Sequence, residues 1–263
     1  MNLLETMITR IDVKSGKATK MKDLVAEEKP LHVFINRKQY ATIFCSPSDL
    51  KEMTVGHLLS EGMLKSVDEI EDLSLSVGQA SCRVKLVPDV NVKKRQILSR
   101  LSYRIIRSTC GTTSLSQVPE EISKVKSAMA VRAETILECV NRLNSTAEVF
   151  RKTGGVHVAA IYDRKGGRKT LAEDVGRHNA VDKVIGAGAL EQIDFSQCFL
   201  ALSGRLTGEI VIKAARMHLP IVASMAAAIG SGIAVANEAH LTLAGFVRGN
   251  RMNIYTFPER ILS

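Results

Sequence analysis

Residues 31–36 and 41–45 are two short, largely apolar runs, which predicts two short strands at the front of the fold. A helix is expected next: Ser46, Pro47 and Asp49 make a cap-like start, and Leu50, Met53, Leu58, Leu59 and Met63 repeat at helical spacing. Cys82, Val84 and Leu86 alternate with Arg83 and Lys85, the pattern of a half-buried strand whose inward face includes the thiol. Residues 92–106 mix basic and apolar positions at a spacing that suits helix and strand alike. Over 107–117 the period stops in a run of small polar residues. This predicts a loop and a boundary between a smaller N-terminal α+β lobe, residues 1–110, and a larger α/β domain, residues 111–263. Helical spacing returns over 119–150, with Ile136, Leu137, Val140 and Leu143 on one face and Cys139 beside them.

Beyond Thr153-Gly154-Gly155 the texture changes. A strand is expected at 156–162, a basic Gly-Gly turn at 163–169 and a return strand at 170–174. Helices follow at 179–190, 207–219 and 233–240, interleaved with strands at 198–202, 221–224, 241–246 and 252–256. Strands alternating with helices of this length predict a sheet covered by helices on both faces, a three-layer α/β/α sandwich. In such folds ligands collect at the carboxyl ends of the strands, where helix N-termini present free N–H groups. Three expected strand exits there carry an Arg beside a Gly: residues 173–179, 203–208 and 246–251. Glycine permits close backbone approach and arginine supplies a bidentate donor, so together they point to a polyanion site.

Composition narrows this picture. The chain has no Trp and only 4% aromatic residues, which leaves its core to aliphatic side chains and favours layered α/β over a β-sandwich. The N-terminal residues show no secretory pattern, so a cytoplasmic protein is expected. Residues 217–237 lack Asp, Glu, Lys and Arg, yet Pro220 and the glycines split them into a strand, a loop and a helix rather than a membrane span. The formal net charge of +9 is spread evenly on both sides of Cys110, so there is no basic arm. It reads either as a solvated surface or as attraction to an anionic partner, such as a phosphate-bearing cofactor or an acidic protein. Nucleic acid is disfavoured because aromatic and basic residues do not interleave.

Five cysteines, an odd number without a C-x-x-C pair, remove the spacing evidence for a disulfide framework and for structural zinc and leave at least one free thiol. Cys45, Cys82, Cys139 and Cys198 fall in elements where packing explains them. Cys110 does not: it sits in the polar loop next to Gly111 and three residues after Arg107, where a thiolate would be favoured, and it reads either as a nucleophile or as an incidental loop cysteine. His157 alternates into a strand as a core histidine would, whereas His178 stands at a strand exit. Asp174 is expected to hydrogen-bond a loop, and Asp182 to pair locally on a helix surface. A zinc deaminase would need H-x-E and P-C-x-x-C, and neither occurs; phosphate loops of the P-loop or dinucleotide type are missing as well.

Long blocks of the chain nevertheless resemble the FdhD family, sulfurtransferase accessory proteins of formate dehydrogenase. They are residues 59–62, Thr153-Gly154-Gly155-Val156-His157-Val158-Ala159-Ala160, residues 173–183, Ser203-Gly204-Arg205 and residues 245–249. The resemblance implies a cytidine-deaminase-like α/β/α fold without the zinc site. It implies that a cysteine desulfurase loads Cys110 with a persulfide. The sulfur then passes to the molybdenum or tungsten of a bis(molybdopterin guanine dinucleotide) cofactor, a bound substrate, before that cofactor enters formate dehydrogenase. Phe246, Val247, Arg248, Gly249, Asn250 and Arg251 match the family's segment for the guanine nucleotide moiety, and Arg177, His178, Ser203 and Arg205 complete the expected cofactor-binding set. A homodimer is implied too, with no metal held by the protein itself. One departure stands out: Thr113 occupies the position where many members carry a second loop cysteine, so a relay between two loop thiols is not expected. The rival reading is a non-catalytic chaperone that holds the cofactor and delivers it.

Overall fold

The computed structural model describes residues 3–76, 78–92, 95, 104–106 and 124–263. Strands β1 (Leu3–Ile11) and β2 (Ala18–Ala26) form a separate antiparallel hairpin. Sequence reading missed it because most of its side chains are exposed on both faces, so no clean alternation betrays it. Next come β3 (Lys29–Ile35), β4 (Lys38–Cys45), α1 (Leu50–Ser60), β5 (Ile70–Ser76), β6 (Ser81–Leu86) and β7 (Arg104–Ile106). The strands make a five-stranded sheet in the order β5-β6-β3-β4-β7. Residues 104–106, in the stretch that suited helix and strand alike, are therefore strand. Of the expected helix over 119–150, residues 119–123 lie outside the described residues, and the described part is helical only in α2 (Ala133–Thr146), followed by α3 (Glu148–Thr153). Ahead of α2, β8 (Val131–Arg132) pairs in parallel with β15 (Ile261–Leu262), a partnership across the chain that no local pattern announces.

The larger sheet has the order β10-β9-β11-β12-β13-β14. Its strands are β9 (His157–Asp163), β10 (Arg168–Asp174), β11 (Cys198–Leu202), β12 (Ile221–Ser224), β13 (Thr242–Arg248) and β14 (Arg251–Thr256). Between them run α4 (Arg177–Leu190), α5 (Gly208–Arg216) and α6 (Gly230–Glu238). Both faces of this sheet are buried, and side chains alternate between two cores with the period of two that a strand imposes. Ala159, Ile161, Leu200, Leu202, Val222 and Leu243 join the core under α4, α5 and α6. Val158, Ala160, Phe199, Ala201, Ile221, Ala223 and Val247 join the core under α2. The first core continues through α1 into the five-stranded sheet, so both sheets share it. Among the described residues no helix is long and apolar enough to cross a membrane; residues 217–237 hold β12, a loop and α6.

Helices α1 and α4 meet backbone to backbone. A Cβ on Gly56 would lie 1.7 Å from the Asp182 carbonyl oxygen, and one on Gly186 would lie 1.9 Å from that of Glu52. Beside this crossing sits a buried ionic cluster, which corrects the expectation that Asp182 is a helix-surface charge. Asp182 is 1% exposed and accepts hydrogen bonds from Lys213 Nζ at 2.9 Å and from Ser60 Oγ at 2.7 Å, with His57 Nδ1 at 3.2 Å. Burial alone would raise its pKa, but the Lys213 charge and the His57 contact override this and hold the carboxyl at about 2. The cluster ties α1, α4 and α5 together.

Candidate functional site

In the larger sheet β10, β11, β12 and β13 all run the same way: β9 is antiparallel to both β10 and β11, and the β11–β12 and β12–β13 pairs are parallel. Their carboxyl ends therefore form one edge, and α4, α5 and α6 start from it. Four inter-strand steps separate β10 from β13, so this edge spans about 19 Å.

At the β10 exit Asp174 is fully buried. It accepts from Ser46 N at 3.0 Å, Gly176 N at 2.8 Å, Asn179 Nδ2 at 3.0 Å and Lys183 Nζ at 2.8 Å. It does hydrogen-bond a loop as expected, but it is also half of a buried ion pair whose lysine donates to the carbonyls of Ser46 and Glu173. This arrangement pins the end of β4 and the Arg177–His178 turn together. Arg177 lies against Gly204, where a Cβ would come within 2.9 Å of the Arg177 Cβ, so glycine permits the close approach of the two exits. Ser203 Oγ accepts from Val158 N at 3.0 Å and lies 3.3 Å from His157 Nδ1. Burial, and then the charges of Arg177 and His178, push the His157 pKa down from the ordinary imidazole value, which favours the uncharged ring. Arg205 is exposed.

His178 Nε2 stands 3.0 Å from Glu209 Oε2, both side chains largely shielded. Sequence reading missed Glu209, which lies one residue beyond the 203–208 run; only the turn into α5 brings it to His178. It also missed the loop after β12. Ala226 accepts from Phe246 N at 2.9 Å, Leu206 N donates to Ala227, and Ser224 Oγ donates to the Gly204 carbonyl at 2.6 Å. Small apolar residues gave no sign that this loop joins the 203–208 and 246–251 exits.

Phe246 adopts a left-handed backbone with φ 51°, a strained state for an aromatic residue, and the pairing of β13 with β14 shifts register between Gly245 and Arg248. The Arg248 guanidinium sits over the Phe246 ring at 5.3 Å. Arg248, Gly249, Asn250 and Arg251 are exposed at the hairpin tip, and Asn141 Nδ2 of α2 donates to the Gly249 carbonyl. Val247 differs: it is fully buried in the core under α2, so its side chain packs and only its backbone is available to a ligand. The edge thus gathers Arg177, His178, Ser203 and Arg205 at one end and the 246–251 hairpin toward the other, bridged by residues 224–228.

These features lie within regions shared with known proteins. The sequence model of the FdhD/NarQ family matches residues 26–262. The chain belongs to the FdhD/NarQ family. The match takes in both sheets and leaves out nearly all of the β1–β2 hairpin. Among relatives, the Sulfur carrier protein FdhD of Sulfolobus acidocaldarius is 36% identical over 250 residues, covering 95% of each chain. That of Bacillus pumilus is 34% identical over 251 residues, covering 94% of each. A crystal structure from Desulfotalea psychrophila, provisionally described as a formate dehydrogenase accessory protein, superposes with a TM-score of 0.79 over 99% of both chains. At 24% identity that likeness speaks for the fold alone.

An extended, multiply phosphorylated ligand suits this edge. Three helix N-termini converge there, and Thr207 Oγ1 at the start of α5 is sealed from solvent without a hydrogen bond among the described residues. Arg177 and Arg205 are separated from Arg248 and Arg251 by most of the edge, so a compact ion would engage one end only. The four described cysteines are poor nucleophiles: all are buried, and burial raises the Cys45 thiol to about 12 and those of Cys139 and Cys198 to about 11. Cys110 and Thr113 lie outside the described residues.

Proposed function

We propose that this chain is a sulfurtransferase: Cys110 takes sulfur as a persulfide from a cysteine desulfurase and passes it to the molybdenum of a bis(molybdopterin guanine dinucleotide) held on the strand-exit edge, for use by formate dehydrogenase. The observation that carries the reading is the convergence of the three arginine-bearing strand exits on one edge about 19 Å wide. Family membership and relatives named as sulfur carriers support it. β7 ends at Ile106, which pairs in parallel with Ile43, and β4 itself runs out at Ser46 beside Asp174. Cys110 is four residue steps beyond Ile106, about 14 Å at full extension.

In the first step the Cys110 thiolate attacks the terminal sulfur of the desulfurase persulfide, forming a new S–S bond while the desulfurase cysteine leaves as thiolate. In the second, an electron pair of the reduced metal takes that sulfur. The metal is oxidised by two electrons and Cys110 departs as thiolate. Arg177, Arg205, Arg248 and Arg251 neutralise the phosphates of the substrate, and His157 in its uncharged form, with Ser203, offers hydrogen-bonding groups without adding charge.

The test is Cys110→Ala. Intact-mass analysis after incubation with a desulfurase and cysteine should show a one-sulfur adduct on the native chain and none on the variant, and formate dehydrogenase maturation should fail. Maturation that survives the substitution would instead establish the chaperone reading. Titration with GDP should weaken by roughly tenfold or more in Arg248→Ala or Arg251→Ala, the scale of one charge-assisted bond; unchanged affinity in both would displace the ligand from this edge.

A further inference from the structure

At the other end of the larger sheet, where β11 and β12 begin, a cavity of about 710 Å³ opens between the turn after α4, the turn after α5 and residues 124 and 126. Its size falls within the range of small-molecule sites. Lys65, Lys124, Lys126 and Arg216 line it against a single carboxylate, Asp194. That carboxylate is engaged already, its Oδ1 accepting from Ser196 N at 3.0 Å and Ser196 Oγ at 2.6 Å. None of the three lysines forms an ion pair among the described residues. The floor is apolar, made of Ile193, Phe195 and Met217.

The Arg216 side chain is held in place. Its Nη1 donates to the Ser60 carbonyl at the end of α1, and Gly62, at φ 75°, lies so close that a Cβ there would be 3.6 Å from the guanidinium carbon. The guanidinium also lines the cavity, with the Glu61 carboxylate as a neighbouring charge. A fixed guanidinium beside lysines without an ion pair among the described residues suits planar or tetrahedral oxyanions.

We propose that this cleft binds a multiply charged oxyanion on a small apolar body, a phosphate ester or a polycarboxylate, with Arg216 as the bidentate anchor and Lys65, Lys124 and Lys126 as the surrounding charge. The site is distinct from the strand-exit edge, from which the length of the strands separates it by roughly 15 Å.

The experiment is calorimetric titration with pyrophosphate and, separately, citrate, on the full chain carrying Arg177→Ala, Arg205→Ala, Arg248→Ala and Arg251→Ala so that neither end of the strand-exit edge competes for diphosphate. Binding of pyrophosphate over citrate identifies the phosphate class, and the reverse the carboxylate class. Adding Lys124→Ala and Lys126→Ala, both exposed positions, should weaken the preferred anion by about tenfold, and Arg216→Lys, which keeps the charge but loses the fork, should weaken it severalfold. Two results overturn the proposal: no binding of either anion up to about 5 mM, or binding that the lysine substitutions leave unchanged. Failure of the edge reading is separate, since it shows as GDP affinity unaffected by Arg248→Ala and Arg251→Ala.

Discussion

Gly56→Ala should destabilise the protein, although alanine is the better helix former. In an exposed helix interior the change would stabilise by about 1 kcal/mol. Here the new Cβ would be placed 1.7 Å from the Asp182 carbonyl oxygen and 2.7 Å from Gly186 N, whereas real Cβ atoms keep at least 3.0 Å. Helices α1 and α4 must therefore part by about 1.3 Å in an interior packed too tightly to absorb it. Overpacking of this kind typically costs about 1–3 kcal/mol. The same movement stretches the bonds from Ser60 and His57 to buried Asp182, and hydrogen bonds to a charged group contribute about 1.5–3 kcal/mol each. Setting the propensity gain against both losses leaves a net destabilisation of about 2–4 kcal/mol. Urea unfolding followed by far-UV circular dichroism measures it, with Gly230→Ala as the matched control because nothing lies within 4 Å of a Cβ there. The control should stay within about 0.5 kcal/mol of the native protein. A Gly56→Ala midpoint at or above the native one would refute the backbone contact.

Lys213→Met should cost about 3–5 kcal/mol, because it leaves the buried Asp182 carboxylate uncompensated, and Lys213→Met with Asp182→Leu should recover part of that loss in the same urea assay. Acid should act on the same cluster: with a folded pKa near 2 against an ordinary 3.8, Asp182 contributes about 2 kcal/mol that is fully present above pH 4 and is lost as pH falls through 2. Urea midpoints compared at pH 5 and pH 2.5 in Asp182→Asn and native protein should therefore converge toward the acid end. Iodoacetamide at pH 8 should leave Cys45, Cys82, Cys139 and Cys198 unmodified in the folded protein by peptide mapping, because burial keeps their thiols protonated; rapid alkylation of any one would show that its site is open.

Periodicity and turn chemistry were enough for the strands at 198–202 and 221–224, whose expected bounds coincide with β11 and β12, and for the alternation that sends Cys82 inward. They also placed the three Arg-Gly exits at strand ends, because a buried strand must be a short apolar run and its polar exit is visible in the residues that follow. What the sequence by itself determined was thus each element's type and the chemistry at its ends. Which partner each element would meet was decided only by the tertiary structure. Asp182 reads as an ordinary helix charge until α1 and α5 close over it, and Glu209 acquires its role only when the turn into α5 carries it to His178. The short β8 strand exists because β15, some 130 residues later, supplies its hydrogen bonds. Local patterns report how one residue relates to its near neighbours along the chain. Burial, ion pairing and close backbone approach depend on residues distant in sequence, and their energies appear only once the fold has brought those residues within a few ångströms of one another.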